Sequence, residues 1–211
     1  MPCLRARLAF CLTVLFAASG AAAQDMPPVL ADFLDGLETL SARFEQTVGL
    51  EGQDSDQVSR GTLQVLRPGR FRWDYDSPSR QLVLSDGSRL WLYDPDLEQV
   101  TVRDLDETLS STPAMLLGGE GVLTDHFRAG AGYDEDDVSW IELVPIAKDS
   151  DFTGLRVGFC GEVLCAMELL DKLGQYTRIR FSDVQTGAAV DPSVFEFEVP
   201  DGVDVISESD F

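Results

Sequence analysis

A strongly curved antiparallel sheet with helical additions is the fold class this sequence predicts, and two observations carry it. Short apolar-polar segments follow one another between residues 61 and 103, each separated from the next by turn residues. Strands so closely spaced in the chain pair antiparallel and build a curved sheet. The second observation is an aromatic face. Phe71, Trp73 and Tyr75 occupy every second position, so they share one side while Arg70, Arg72 and Asp74 share the other. A fold either buries such a face under its own helices or keeps it partly open for an apolar guest.

At the N-terminus, Arg5 and Arg7 precede an apolar run from Leu8 to Ala18 and the small-residue tripeptide Ala21-Ala22-Ala23. That is the pattern of a secretory signal cleaved before Gln24. Residues 1–23 are therefore expected to be removed, and residues 24–211 to form one domain. Cys11 lies inside the apolar run behind Phe10, where a lipoprotein signal needs a small residue, so lipid attachment is not expected there. No other apolar run is long enough to cross a bilayer. The expected product is a periplasmic monomer with no stable membrane attachment.

Pro27 and Pro28 open a stretch in which Leu30, Phe33, Leu34, Leu37, Leu40 and Phe44 recur at helical spacing, which predicts an amphipathic helix of about four turns. Strands are expected from Thr47, after which a polar, glycine-containing break at Glu51 to Ser59 reads as an exposed loop. Gly61 to Leu66, Phe71 to Tyr75, Gln81 to Ser85, Leu90 to Tyr93 and Gln99 to Arg103 are the strands of the densest region. Ser111-Thr112-Pro113-Ala114-Met115-Leu116-Leu117-Gly118-Gly119 interrupts them. Its hydroxyl N-cap, early proline and closing glycines predict one short helix, apolar on nearly every side. A further helical piece is read at Val122 to Phe127. Strands resume at Trp140 to Val144, Leu155 to Phe159, Leu164 to Leu170, Tyr176 to Phe181 and Phe195 to Val199.

Loss of the signal leaves Cys160 and Cys165, which permit a single pairing. A turn through Glu162-Val163 would set them opposite each other on a hairpin, and in an oxidising compartment they read as a clip. For so short a loop the chain-entropy gain is about 2 kcal/mol. The mature chain would carry 37 acidic residues against 14 basic ones, 16 less Arg5 and Arg7, for a net charge of −23. That surface is repelled by nucleic acid and by anionic headgroups. Adaptation to salt explains the acidity equally well, since Lys148 and Lys172 are the only lysines.

Catalytic signatures are scarce. His126 is the only histidine, and the sequence holds no Gly-x-Ser-x-Gly elbow, zinc-ligand cluster or phosphate loop. Carboxylate pairs such as Asp136-Asp137 or Asp94 with Asp96 fall at expected turns, where chance supplies them among so many acids. Neither enzymatic activity nor a metal or other cofactor is expected.

Arg67-Pro68-Gly69-Arg70-Phe71-Arg72-Trp73, Ser85-Asp86-Gly87, Leu90-Trp91-Leu92-Tyr93-Asp94-Pro95 and Thr112-Pro113-Ala114-Met115-Leu116-Leu117, in this order and spacing, resemble the LolA family of periplasmic outer-membrane lipoprotein carriers. Phe44-Glu45-Gln46 and Phe195-Glu196-Phe197, with Pro200-Asp201-Gly202-Val203, extend the resemblance over nearly all of the mature chain. It implies an open half-barrel whose apolar concave face is covered by a helical lid. It implies a chaperone that takes triacylated lipoproteins from an inner-membrane ABC-type release complex and carries their acyl chains to the outer membrane, where a separate receptor is possible. Arg67 matches the arginine that latches the lid, here onto carbonyls near Leu117 and Gly118. Phe71, Trp73, Leu84, Trp91, Tyr93, Met115, Leu116 and Leu117 match the acyl-chain cavity. Cys160 and Cys165 lie outside the shared motifs. The alternatives are plain core packing for those apolar residues, a solvated strand-end cation for Arg67, and a carrier or sensor of another lipid, a phospholipid or glycolipid, for the whole.

Overall fold

Where Leu40, Ala42 and Phe44 alternate with Ser41, Arg43 and Glu45, the chain satisfies a period of two as well as a helical one, and the strand prevails. The computed structural model describes residues 26–50, 57–105, 117–118, 125–147, 150 and 152–207. Its helix α1 runs Pro28–Gly36 and stops there, so the four-turn helix expected as far as Phe44 is corrected to a short one. Strand β1 occupies Thr39–Leu50. It has a hydrogen-bonding neighbour on each side, β2 (Gln57–Leu66) and β11 (Gln175–Thr186). Two ladders satisfy its backbone more completely than a helix continued into the sheet could.

After β2 come β3 (Arg70–Ser77), β4 (Gln81–Asp86), β5 (Arg89–Asp94) and β6 (Gln99–Asp104), each antiparallel to the last. Further along the chain, β7 (Phe127–Glu135), β8 (Val138–Pro145), β9 (Phe152–Cys160) and β10 (Val163–Asp171) make a second meander that ends in β11. One sheet results, in the order β12-β6-β5-β4-β3-β2-β1-β11-β10-β9-β8-β7. Its register shifts at Ser41/Arg43, Arg60/Gly61, Ala129/Gly132 and Leu164/Ala166. Each bulge bends and twists its strand, which is how so many strands curl.

Several expectations are corrected. Gln57 to Ser59, expected in the polar loop, already pair with β1, and residues 51–56 lie outside the described residues. Phe127 opens β7 rather than closing a helix; of the described residues before it, Asp125 and His126 are helical. Phe195 to Val199 is not a strand. Pro192–Phe195 is a 3-10 turn capped by the Asp191 carboxylate on the Ser193 N–H, and the following residues run without a ladder until β12 (Asp204–Ser207), which pairs parallel to β6. The β9–β10 turn is Gly161-Glu162, one residue earlier than expected, with Gly161 at a φ of 67° that favours glycine. Cys160 and Cys165 are joined across this hairpin, their Cα atoms 5.8 Å apart. The signal segment, and the short helix apart from Leu117 and Gly118, lie outside the described residues.

The main core lies on the face that carries Phe44, Leu63, Phe71 and Trp73 in the first half of the sheet and Leu155, Phe159, Met167 and Phe181 in the second. Leu30 and Leu37, at and just after α1, are buried against that same cluster, and the Phe33 ring meets Phe159 edge-on at 5.4 Å. A smaller core occupies the opposite face of β3–β6. There Leu82, Leu84 and Val100 are buried with Phe195, and the Phe197 ring packs on Trp91 and Tyr93 at 5.5 and 5.6 Å.

Gly61 makes the aromatic packing possible. A Cβ at this position would collide with the Asp74 carbonyl and come within 2.9 Å of the Phe44 ring. Because the first obstacle is backbone, repacking cannot relieve it. Gly61→Ala should therefore lower stability by about 1–3 kcal/mol, the usual range for overpacking. Chemical denaturation measures it, and an unchanged midpoint would contradict this account of the packing.

Candidate functional site

Arg67 follows directly on β2, at the corner where Pro68 and Gly69 turn the chain into β3. Its backbone N–H donates to Glu38 O at 2.9 Å, which ties the corner to the entrance of β1. Gly69 adopts a φ of +74°, and its carbonyl accepts a 2.6 Å bond from the wholly buried Ser85 hydroxyl. Ser85 Oγ in turn accepts from the Gly87 N–H. The corner is thereby fixed from both sides before the Arg67 side chain is considered.

From that corner the guanidinium reaches two segments. Nε donates to Leu117 O at 3.0 Å and Nη1 to Leu34 O at 3.0 Å. Leu34 lies in the last turn of α1, where its carbonyl also accepts the Leu37 N–H at 3.4 Å and a cation is favoured. The planar fork of donors on arginine suits two carbonyls held at once, which a lysine ammonium matches poorly. Gly118 is held differently from expectation: its carbonyl accepts from the Gly69 backbone N–H at 3.0 Å, so Arg67 holds Leu117 and the corner backbone holds Gly118. A Cβ on Gly118 would stand 2.9 Å from Phe71 Cδ1, and the Leu117 side chain is buried in the main core. Leu117 and Gly118 thus lie flat against the aromatic face.

Of the expected cavity residues, Phe71, Trp73 and Leu117 share this face. Leu84, Trp91 and Tyr93 do not, and their assignment to the same cavity is corrected. Leu84 is paired with Arg72, not with an odd-numbered residue of β3, and Trp91 with Leu84, so all three take the face opposite Phe71. There the Arg72 guanidinium bonds the Asp74 carboxylate through both Nε and Nη2 and the Val194 carbonyl through Nη1. Met115 and Leu116 lie outside the described residues.

Tyr75 lies on the aromatic face as its spacing predicts, and Phe44, Gln46 and Phe181, which the sequence does not mark as cavity residues, complete it. The Trp73 ring centroid is 4.7 Å from Phe44 and 6.4 Å from Phe181. Alternation in β11 was the available signal for Phe181. Leu34 acts through its main chain, for which no side-chain signal exists. The motif Ser85-Asp86-Gly87 has a structural role: Asp86 accepts from the Ser88 and Arg89 N–H groups, the Ser88 hydroxyl and Trp91 Nε1. Burial alone would raise its carboxyl pKa, but these donors outweigh burial and hold it below the ordinary value.

A cleft of about 580 Å³ opens between α1 and the β9–β10 turn, lined by Val29, Asp32, Phe33, Leu37, Glu162 and Thr186 among others. Another of about 320 Å³ runs over Gly154 beside an ion-pair ladder of Glu142, Arg156, Glu168 and Arg178. Those exposed pairs contribute little stability and mark a solvated face. The carboxylate pairs are turn-formers: Asp94 Oδ1 accepts from the Asp96 and Leu97 N–H groups, and Asp136 and Asp137 both take positive φ in the β7–β8 hairpin.

The Tyr75 hydroxyl donates to Gln46 Oε1 at 3.0 Å. Burial pushes its pKa up to about 12, and the Gln46 bond only partly opposes this. A folded pKa above the unfolded value near 10 means that this contribution is intact below about pH 10 and is lost as pH rises toward 12. At pH 11 the loss relative to Tyr75→Phe should be on the order of 1 kcal/mol. Denaturation midpoints of both proteins at pH 8 and pH 11 measure it; equal losses would refute the assignment to Tyr75.

Comparison with known proteins finds relatives over most of the chain. A family model described as outer membrane lipoprotein carrier protein LolA matches residues 35–198. An outer-membrane lipoprotein carrier protein of Methylococcus capsulatus is 44% identical over 179 residues, covering 85% of this chain and 86% of its own. That of Dechloromonas aromatica is 40% identical, covering 94% and 93%. An uncharacterized conserved protein from Thermus thermophilus has a similar fold, with a TM-score of 0.52 at 10% identity over 85% of this chain and 97% of its own. The match spans both meanders and the Arg67 corner between β2 and β3, and on that extent the chain belongs to the LolA family of outer-membrane lipoprotein carrier proteins.

Proposed function

We propose that this chain is a periplasmic carrier of triacylated lipoproteins, which shields their acyl chains against the Trp73 face of its sheet. The observation that carries the reading is the pair of bonds from Arg67 to Leu117 O and Leu34 O, which holds two separate segments over one apolar face. In this reading the Trp73 face is the concave wall of the cavity. The α1 helix and the segment at Leu117 are its lid. Residues 1–23 direct export, an ABC-type complex in the inner membrane supplies cargo, and the outer membrane receives it with or without a separate receptor. No helix among the described residues is long and apolar enough to cross a membrane, which is compatible with a carrier that moves between two of them.

The energies favour a lid that yields to cargo. Shielding one acyl chain of about fourteen methylenes is worth on the order of 11 kcal/mol at roughly 0.8 kcal/mol per CH₂. Each bond from a charged donor to a carbonyl is worth about 1.5–3 kcal/mol. Arg67 can therefore hold the lid when the carrier is empty and be overcome when acyl chains replace Leu30 and Leu117 on the aromatic face. Release needs an acceptor that offers the chains an equally apolar place.

In a reconstituted assay of lipoprotein transfer, Arg67→Leu should weaken the closed state and slow hand-over at least severalfold, with Arg67→Lys intermediate. Transfer by Arg67→Leu at the wild-type rate would remove Arg67 from the mechanism. Native mass spectrometry of carrier purified without detergent identifies the cargo: a bound lipoprotein supports this proposal, and free phospholipid or glycolipid alone overturns it.

A further inference from the structure

Trp73 is 2% exposed, and its indole Nε1–H is buried without an acceptor among the described residues. Buried tryptophans ordinarily find a partner for this donor, and one left bare in a native fold asks for a reason. The contrast with Trp91 is direct, since Trp91 Nε1 donates to Asp86 on the other face at 3.0 Å. Around Trp73 the neighbours are the rings of Phe44, Tyr75 and Phe181, with Leu63 and Val83 opposite it on the flanking strands. Two residues along the same face, the Tyr75 hydroxyl is already given to Gln46.

The surroundings restrict what can accept this hydrogen. Water needs two to four polar partners to be held in a buried site, and rings and aliphatic side chains do not supply them. A carboxylate would bring an uncompensated charge onto an apolar face. An amide would bring its own N–H, which needs a further acceptor. A neutral ester carbonyl, attached to chains that favour the same apolar surface, accepts the hydrogen and adds no unmet donor.

We propose that Trp73 Nε1–H binds the ester carbonyl at the head of an O-acyl chain, so that the face recognises acylated cargo by one directional bond as well as by burial. This rests on the carrier reading, since the carbonyl reaches Trp73 only when the α1 and Leu117 segments give way to acyl chains. The bond places the ester beside Phe44 and leaves the hydrocarbon to follow the apolar face, which makes Trp73 a specificity-determining residue.

The test compares two lipids of equal length, 1,2-dioctanoylglycerol and its 1,2-dioctyl ether analogue, by their dissociation constants for the full mature protein. Three proteins are used: wild type, Trp73→Phe, and one in which β-(3-benzothienyl)alanine replaces Trp73 and keeps the ring shape while putting sulfur in place of N–H. Wild type should favour the ester by about three- to tenfold, the size of one net hydrogen bond. Both altered proteins should lose that preference, each binding the ester and the ether within about twofold of one another. Equal affinity of wild type for the two lipids, or an ester preference that survives in the benzothienyl protein, overturns the inference while leaving the carrier reading intact. Failure of wild type to bind either lipid overturns both.

Discussion

The pairing of β1 with β11 is the constraint on which the rest of this molecule depends. Each meander builds its ladder largely from neighbours in sequence, but β1 meets β11 across more than a hundred residues and aligns Phe44 with Phe181. That register decides that the aromatic side of β2–β5 and the aliphatic side of β8–β10 form one face rather than two. A one-residue slip would turn Phe44 outward and bring Arg43 or Glu45 into its place. Only with this register does a single apolar surface exist for α1 to cover.

Arg67 acts within that frame. Its usefulness comes from three different parts of the chain meeting at its position: the start of β1 through Glu38, the end of α1 through Leu34, and the helical residues Leu117 and Gly118 beside Gly69. All three segments meet the corner through carbonyl oxygens, whereas the donor has to be a fork fixed at a rigid corner. Ser85 beneath Gly69 supplies the rigidity, so a residue that looks like a plain turn serine is part of the positioning apparatus.

How much of this was legible in the sequence depended on whether one period or one register was at stake. Strands β2 to β6 were readable because each alternates cleanly and ends at turn residues. Leu40, Ala42 and Phe44 misled because they fit two periods, and only partners on both sides decide for the strand. Strand β7 carries a weak signal because its middle is only alanine and glycine and a register shift between Ala129 and Gly132 moves its inward side from odd to even residues. Leu84, Trp91 and Tyr93 were misplaced for another reason: aromatic content does not reveal a face. The pairing of Phe71 with Ser85 keeps odd residues of β4 on the Trp73 side, and that of Ser85 with Leu90 passes this side to even residues of β5. Of the site itself, Arg67 with Leu117 was visible through the family resemblance, while the contribution of Leu34 was hidden in the main chain.

The placement of Phe195 and Phe197 has a mechanical consequence. In β3–β6 the sheet is sandwiched: the main core presses on one side, and on the other the C-terminal segment is tied down by Arg72 at Val194 and by the parallel β12 ladder. The β8–β11 half has instead an outer surface of solvated ion pairs. A plate laminated on both sides resists bending, while one stiffened on a single side flexes more readily. The Arg67 corner belongs to the laminated half, so any bending of the sheet would fall mainly on the thinner one.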